Sequence, residues 1–178
     1  MRSIILLSVA ALALTACDKA DKGPKTLEQA KKEASQMERP QPGEYKQTTK
    51  STKFDVPGAP PPMVEQIRKM MEGQNNNVTY CLTKEESDKG FEEMFKKGRE
   101  GNCKYDRFDA SSNTIDAIML CDTGQGGSAR MTLNGTVSPT GSKVNVNVEQ
   151  KNAKAQMGNA TIAMEMETAR IGDCKASK

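Results

Sequence analysis

The chain has 178 residues, with 26 basic and 23 acidic side chains, five cysteines and no histidine. This near-neutral balance gives no electrostatic basis for nucleic-acid binding, which needs a concentrated basic surface. The lack of histidine excludes Ser-His-Asp triads and histidine metal sites, and no phosphate-binding loop or nucleophile elbow occurs. We therefore expect a non-enzymatic protein without a catalytic residue, a metal site or a cofactor.

The N-terminus has the pattern of an export signal. An apolar run over 4–14 follows Arg2 and ends in Leu14-Thr15-Ala16-Cys17. A helix of this length, at about 1.5 Å per residue, is too short for a bilayer core of roughly 30 Å, whereas it suits a secretory signal peptide. The last four residues resemble a bacterial lipobox, which predicts cleavage after residue 16 and a covalent lipid, such as palmitate, on Cys17. The alternative is a soluble secreted protein with a chance cysteine.

These features predict a lipoprotein of the bacterial cell envelope that is anchored to a membrane through its lipid and faces the periplasm. Two or more acyl chains anchor a protein stably. Asp18 favours the inner membrane by resemblance to enterobacterial lipoproteins, and the outer membrane is the alternative. Residues 17–42 are expected to be the lipidated N-terminus and tether, with a helix after the capping box of Thr26 and Gln29. That helix is either marginal or docked on a neighbour.

Residues 43–174 are predicted to form one β-rich domain, followed by a tail at 175–178. A second capping box, Thr83 to Glu86, opens a helix over about 84–97 with Gly98 as its stop signal. Another short helix is predicted over 63–72. Strands are predicted over 45–54, 78–82, 103–109, 114–122, 129–138, 144–148 and 162–167.

The strands alternate apolar and polar residues, so each is expected to bury one face. Short connections then imply a mostly β (α+β) fold, an antiparallel meander that curls into an open barrel or bent sheet with the 84–97 helix over one end. Seven aromatic residues and no tryptophan predict a core built mainly from Val, Ile, Leu and Met.

One strand face is rich in methionine and β-branched residues and is a candidate apolar lining. Its members are Met131, Val144, Val146, Val148, Ile162, Met164 and Met166. Three interpretations of the methionines stand: adaptable core filling, a soft lining for an apolar ligand, and a thioether site for Cu(I).

Four cysteines remain after Cys17, and an even number in an exported chain predicts two disulfides. We favour Cys81–Cys103 with Cys121–Cys174, because the first pair would join the ends of the helical segment. The rival pairing is Cys103–Cys121 across a hairpin, with Cys81–Cys174.

Several fragments together resemble the bacterial envelope family called domain of unknown function 3617, over about residues 42–174. All four cysteines fall where that family has them. Two departures are Tyr45-Lys46, where members often have tryptophan, and Ala169-Arg170, where they usually have two arginines. The resemblance implies an exported β-rich domain and brings no assigned activity. Its fragments are Pro42-Gly43-Glu44-Tyr45, the loop 57–63, Tyr80-Cys81-Leu82-Thr83, Gly101-Asn102-Cys103-Lys104, Met119-Leu120-Cys121-Asp122 and Arg170-Ile171-Gly172-Asp173-Cys174.

Two functional hypotheses follow. The first is an accessory module that binds another envelope protein through its sheet edge or the 55–75 segment. The alternative is a carrier or sensor that encloses a small apolar ligand within the curled sheet.

Overall fold

The computed structural model describes residues 23–73, 77–91, 95–96, 102–124, 126–152 and 158–175, so Cys17 and the predicted signal peptide lie outside the described residues. None of the helices in these ranges is long and apolar enough to cross a membrane. In chain order the elements are α1 (Leu27–Ala34), β1 (Gly43–Asp55), α2 (Pro61–Gly73), β2 (Asn77–Leu82), α3 (Lys84–Lys89), β3 (Cys103–Ala110), β4 (Thr114–Gly124), β5 (Gly127–Ser138), β6 (Gly141–Lys151) and β7 (Asn159–Gly172).

The strands form one antiparallel sheet in the order β2-β1-β7-β6-β5-β4-β3. Strands β3 to β7 are a meander, and β1 joins it by pairing with β7. Strands β2 and β3, which follow each other in the chain, are the two edges, so the sheet is not closed. The predicted mostly β fold with an antiparallel sheet is confirmed, and the sheet is open because its two edge strands do not pair with each other.

Two glycines let neighbouring strands approach closely. A Cβ atom on Gly135 would lie 2.1 Å from the carbonyl oxygen of Lys143, and one on Gly141 would lie 2.4 Å from that of Thr168. Both distances are far inside van der Waals contact, so these positions exclude any side chain. Bulges in β1 and β3 add local bends to the sheet.

One face of the sheet, called the inner face here, carries the core. Paired residues of adjacent strands share a face, so the register defines this one. Its middle row runs from β3 across to β1 as Phe108, Ala117, Leu133, Val146, Met164 and Ser51.

The centre of the described core is aromatic. Phe108 is fully buried, and the ring centroids of Phe95, Tyr105 and Phe108 lie 5.4–5.7 Å from one another. Aliphatic residues of the expected types are also buried, namely Met37, Val56, Ile115, Ile118 and Val146, but they do not form this centre. Three of the seven aromatic rings meet at this point, where each buries more apolar area than an aliphatic side chain.

Helix α1 docks on the sheet beside this aromatic group, which decides between the two predicted alternatives. Ala30 and Ala34 are buried, and the helix packs against β3. The backbone N–H of Lys25 donates to the carbonyl of Tyr105 at 2.9 Å. The predicted capping box is present, because the Thr26 hydroxyl accepts from the Gln29 N–H at 3.2 Å.

Helix α3 is shorter than predicted. It begins at the expected capping box of Thr83 and Glu86 but ends at Lys89, because Gly90 adopts φ +58° and leaves the helix. Phe95 and Lys96 are helical again. The prediction of a helix continuing through residue 90 toward 97 is wrong, and residues 97–98 lie outside the described residues.

The favoured disulfide pairing is also wrong. Cys103 pairs with Cys121 directly across β3 and β4, with Cα atoms 4.0 Å apart, and Cys81 pairs with Cys174 at 5.4 Å. Because β2 and β3 are opposite edges of the sheet, Cys81 and Cys103 are separated by the other strands. Strands β2 and β7 both flank β1, which brings Cys81 and Cys174 together.

Candidate ligand-binding cleft

A cleft of about 310 Å³ lies on the inner face, beside the aromatic core. Six strands and two connecting segments contribute to it. The residues that line it are Met37, Pro40, Tyr45, Tyr80, Leu82, Phe91, Ile115, Leu133, Val137, Ser138, Gly141, Ser142, Val144, Met166 and Thr168.

The two tyrosines of this cleft come from paired strands. Tyr45 on β1 is the register partner of Tyr80 on β2, and their rings stack with centroids 5.8 Å apart. Burial raises the pKa of both hydroxyls above the ordinary value. For Tyr45 this effect outweighs the nearby Arg170 and the hydrogen bond to Gln41, which both lower the pKa. Both phenols are therefore neutral at physiological pH and present an uncharged wall.

The segment that carries Met37 and Pro40 is held in place over the sheet. The Ser87 hydroxyl of α3 donates to the Pro40 carbonyl at 2.6 Å. The Gln41 N–H donates to the Pro139 carbonyl at 2.7 Å, and the Tyr45 hydroxyl lies 2.9 Å from that same carbonyl oxygen. The walls of the cleft are therefore fixed by hydrogen bonds to α3 and to the β5–β6 turn.

The serine and threonine hydroxyls of the cleft are hydrogen-bonded within the chain. The hydroxyls of Ser142 and Thr168, which are register partners on β6 and β7, lie 2.8 Å apart. The Ser138 hydroxyl donates to the Gly141 carbonyl at 3.0 Å. No lining residue in the described part of the chain is charged. Such a surface suits apolar contact, because a ligand need not supply hydrogen bonds to it.

The structure divides the predicted apolar lining between three environments. Val144 and Met166, which are register partners, line the cleft. Val146 is buried beside them on the inner face. The remaining four are partly buried farther along the same face: Met131, Val148, Ile162 and Met164.

Sequence reasoning missed the tyrosine pair and the residues of the connecting segments. The alternation Tyr80–Leu82 in β2 and Gly43–Tyr45 in β1 placed these side chains on one face of each strand. Their meeting needed the β1–β2 register, and the position of Met37 needed the docking of α1. Within the described residues, no three His, Cys, Asp or Glu side chains are grouped to hold a metal ion.

A family model described as "protein of unknown function (DUF3617)" matches residues 40–174. This match covers most of the chain. The chain belongs to the DUF3617 family. No curated protein and no solved structure shows significant similarity to it.

Three of the fragments that marked the DUF3617 resemblance meet at one corner of the sheet. Arg170 at the end of β7 donates from Nε to the Pro42 carbonyl at 2.9 Å and pairs with Asp173. Cys174 is bonded to Cys81 of β2. The family fragments at 42–45, 80–83 and 170–174 thus join the start of β1, the end of β2 and the end of β7, next to Tyr45 in the cleft.

Proposed function

We propose that this DUF3617 member is a non-enzymatic lipoprotein of the bacterial cell envelope, anchored through Cys17 and facing the periplasm, whose β domain binds a small apolar ligand. The observation that carries the ligand part is the cleft of about 310 Å³ between the sheet and the Met37–Pro40 segment. Its volume falls at the lower end of the range for small-molecule sites. The lipid anchor rests on the lipobox sequence alone.

The construction of the cleft supports this assignment. Its floor is the apolar pair Val144 and Met166, its wall is the neutral pair Tyr45 and Tyr80, and its serine and threonine hydroxyls are already hydrogen-bonded. An apolar ligand would gain about 25 cal/mol for each Å² of apolar surface removed from water.

Native mass spectrometry on the exported chain with Cys17→Ser tests the ligand. A co-purified adduct released on unfolding would support the proposal and identify its class. In parallel, the chain is titrated with the fluorescent apolar probe N-phenyl-1-naphthylamine. We expect saturable binding that is weakened at least tenfold by Val144→Phe, because the added ring fills the cleft.

Val148→Phe is the matched control. It adds the same ring on the same strand and face, four residues farther on and outside the lining of this cleft. Equal effects of the two substitutions, or an unchanged affinity in Val144→Phe, would contradict binding in this cleft. Circular dichroism checks that both variants are folded.

A second candidate function, binding of an envelope protein, is favoured by the exposed apolar side of α2. Met63 and Met70 are 43% and 55% exposed on this helix, and Val78 at the sheet edge is 47% exposed. Photocrosslinking from position 63 or 70 in cells, compared with the exposed polar position Lys69 on the same helix, tests this function. Recovery of one protein from 63 and 70 but not from 69 would support it, whereas the absence of a specific product would count against it.

A further inference from the structure

A second groove, of about 530 Å³, adjoins the apolar cleft. Met37 and Phe91 line both, so these two side chains lie between them. The floor of the groove continues the buried core, because Phe95 also lines it. The cleft and the groove therefore share an apolar wall, and the groove has apolar side chains at its floor and charged ones around them.

The rim of the groove is cationic. Lys31, Arg39, Lys89 and Lys96 line it, and no acidic side chain does so among the described residues. Lys89 forms an ion pair with Glu85 at 2.8 Å. Lys31, Arg39 and Lys96 are exposed and form no ion pair with the described part of the chain.

Three separate segments supply these three cations. Lys31 lies on α1, four residues after Leu27 and three before Ala34, and these spacings place the three side chains on the same side of the helix. Arg39 precedes β1, and its Cγ would lie 3.9 Å from a Cβ on Gly90 at the end of α3. Lys96 follows the buried Phe95. Folding thus gathers positive charge at the open side of an apolar site.

We infer that the ligand of the cleft is a single-chain anionic amphiphile, whose alkyl chain lies in the cleft and whose carboxylate or phosphate head is bound by Lys31, Arg39 and Lys96. The charge complementarity of the rim and its continuity with the apolar floor carry the inference. Primary ammonium and guanidinium groups donate charge-assisted hydrogen bonds to such heads. This inference rests on the proposed function, because it uses the same cleft for the alkyl chain.

The test compares four ten-carbon probes that differ only in their heads, on the exported chain with Cys17→Ser: decanoate, decyl phosphate, decan-1-ol and decyltrimethylammonium. Each displaces the fluorescent apolar probe in a competition titration. We expect decanoate or decyl phosphate to bind about tenfold or more tightly than decan-1-ol, and decyltrimethylammonium to bind most weakly. The two anionic probes distinguish a fatty-acid head from a phosphate head.

The triple variant Lys31→Gln, Arg39→Gln, Lys96→Gln should remove this preference and leave the affinity for decan-1-ol unchanged. The control replaces Lys46, Lys50 and Lys53 on β1 with glutamine, which removes the same charge at exposed positions away from the groove. Retention of the anion preference in the rim variant, or its equal loss in the control, would overturn the inference.

Two further outcomes separate the inference from the proposed function. Cleft-dependent binding of decan-1-ol, sensitive to Val144→Phe but without any preference for anions, would overturn the inference and leave the proposed function standing. Failure of all four probes to bind would overturn both. Binding only to phosphatidylglycerol vesicles, and to no single-chain probe, would also overturn the inference, because the rim would then be a membrane-contact surface.

Discussion

Arg170 and Pro42 join the two ends of the family domain, since the Nε of Arg170 donates to the Pro42 carbonyl at 2.9 Å across 128 residues of sequence. The Arg170 side chain is one-quarter exposed and also pairs with Asp173, which is almost fully exposed. The contact closes the sheet corner where the start of β1 meets the end of β7. Hydrogen bonds from charged groups are stronger when they are partly buried. The contacts of Arg170 with Pro42 and with Asp173 should therefore contribute unequally to the free energy of unfolding.

We expect Arg170→Gln to lower the free energy of unfolding by about 1–2 kcal/mol, because the Pro42 carbonyl loses a charged donor. Asp173→Asn should change it by less than about 0.5 kcal/mol, because an exposed ion pair contributes little. Urea unfolding followed by circular dichroism measures both. Equal losses of stability in the two variants would show that the hydrogen bond to Pro42 stabilises the fold no more than the ion pair with Asp173 does.

Glycine is the only residue type that fits at position 43, beside the contact between Arg170 and Pro42. Gly43 has φ +152°, and a Cβ atom there would lie 2.4 Å from the Arg170 Nε and 2.6 Å from the Gly172 carbonyl oxygen. Gly43→Ala should therefore destabilise the chain by more than about 2 kcal/mol, since backbone as well as side chain must move. Gly126→Ala is the control, because Gly126 also has a positive φ of +76° but has no atom within 4 Å of its Cβ position. Gly126→Ala should lower the free energy of unfolding by about 1 kcal/mol. A Gly43→Ala loss no larger than this would contradict the predicted clash.

The two disulfides should stabilise the domain by different amounts. They close loops with sequence separations of 93 and 18 residues. In the chain-entropy model, removal of Cys81–Cys174 by a double serine substitution should cost about 4–5 kcal/mol, and removal of Cys103–Cys121 about 3 kcal/mol. Urea unfolding measures the difference.

Non-reducing peptide mapping of the exported chain checks the pairing itself. A peptide linking Cys81 to Cys103 would contradict the structure, whereas links from Cys81 to Cys174 and from Cys103 to Cys121 are expected.

Tyrosine ionisation should be delayed in the folded chain. Burial is the main cause that raises the pKa of Tyr45, Tyr80 and Tyr105 above 10.0, and the chain has only these three tyrosines and no tryptophan. Since the unfolded chain then loses protons at lower pH, this contribution to stability is fully present below pH 10 and is lost as the pH rises through the folded-state pKa values.

An ultraviolet titration of tyrosinate tests this prediction without interference from tryptophan. The folded chain should show its transition above pH 10, and the chain in concentrated urea should show it near pH 10. Coincident curves for the two states would contradict a raised pKa of these phenols in the folded chain.

Local features of this protein could be read from its residues. The alternation in Val144–Val148 and Ile162–Met166 identified strands, and the capping boxes at Thr26 and Thr83 marked the helix starts, because each signal depends on residues only two or three positions apart. The end of α3 was missed because Gly90 and Gly98 are competing stop signals and only packing decides between them. The aromatic core was missed because composition does not show where scarce residues gather.

The tertiary structure decided what depends on distant partners. The pairing of β1 with β7 sets the sheet order, and this order determines which cysteines meet. It also brings Tyr45 beside Tyr80 and places Met37 over the same face as Val144 and Met166. The sequence alone determined which residues face inward, because side-chain direction alternates along each strand. It did not determine which strands are neighbours, because many pairings bury the same faces and only the complete packing of the chain selects one.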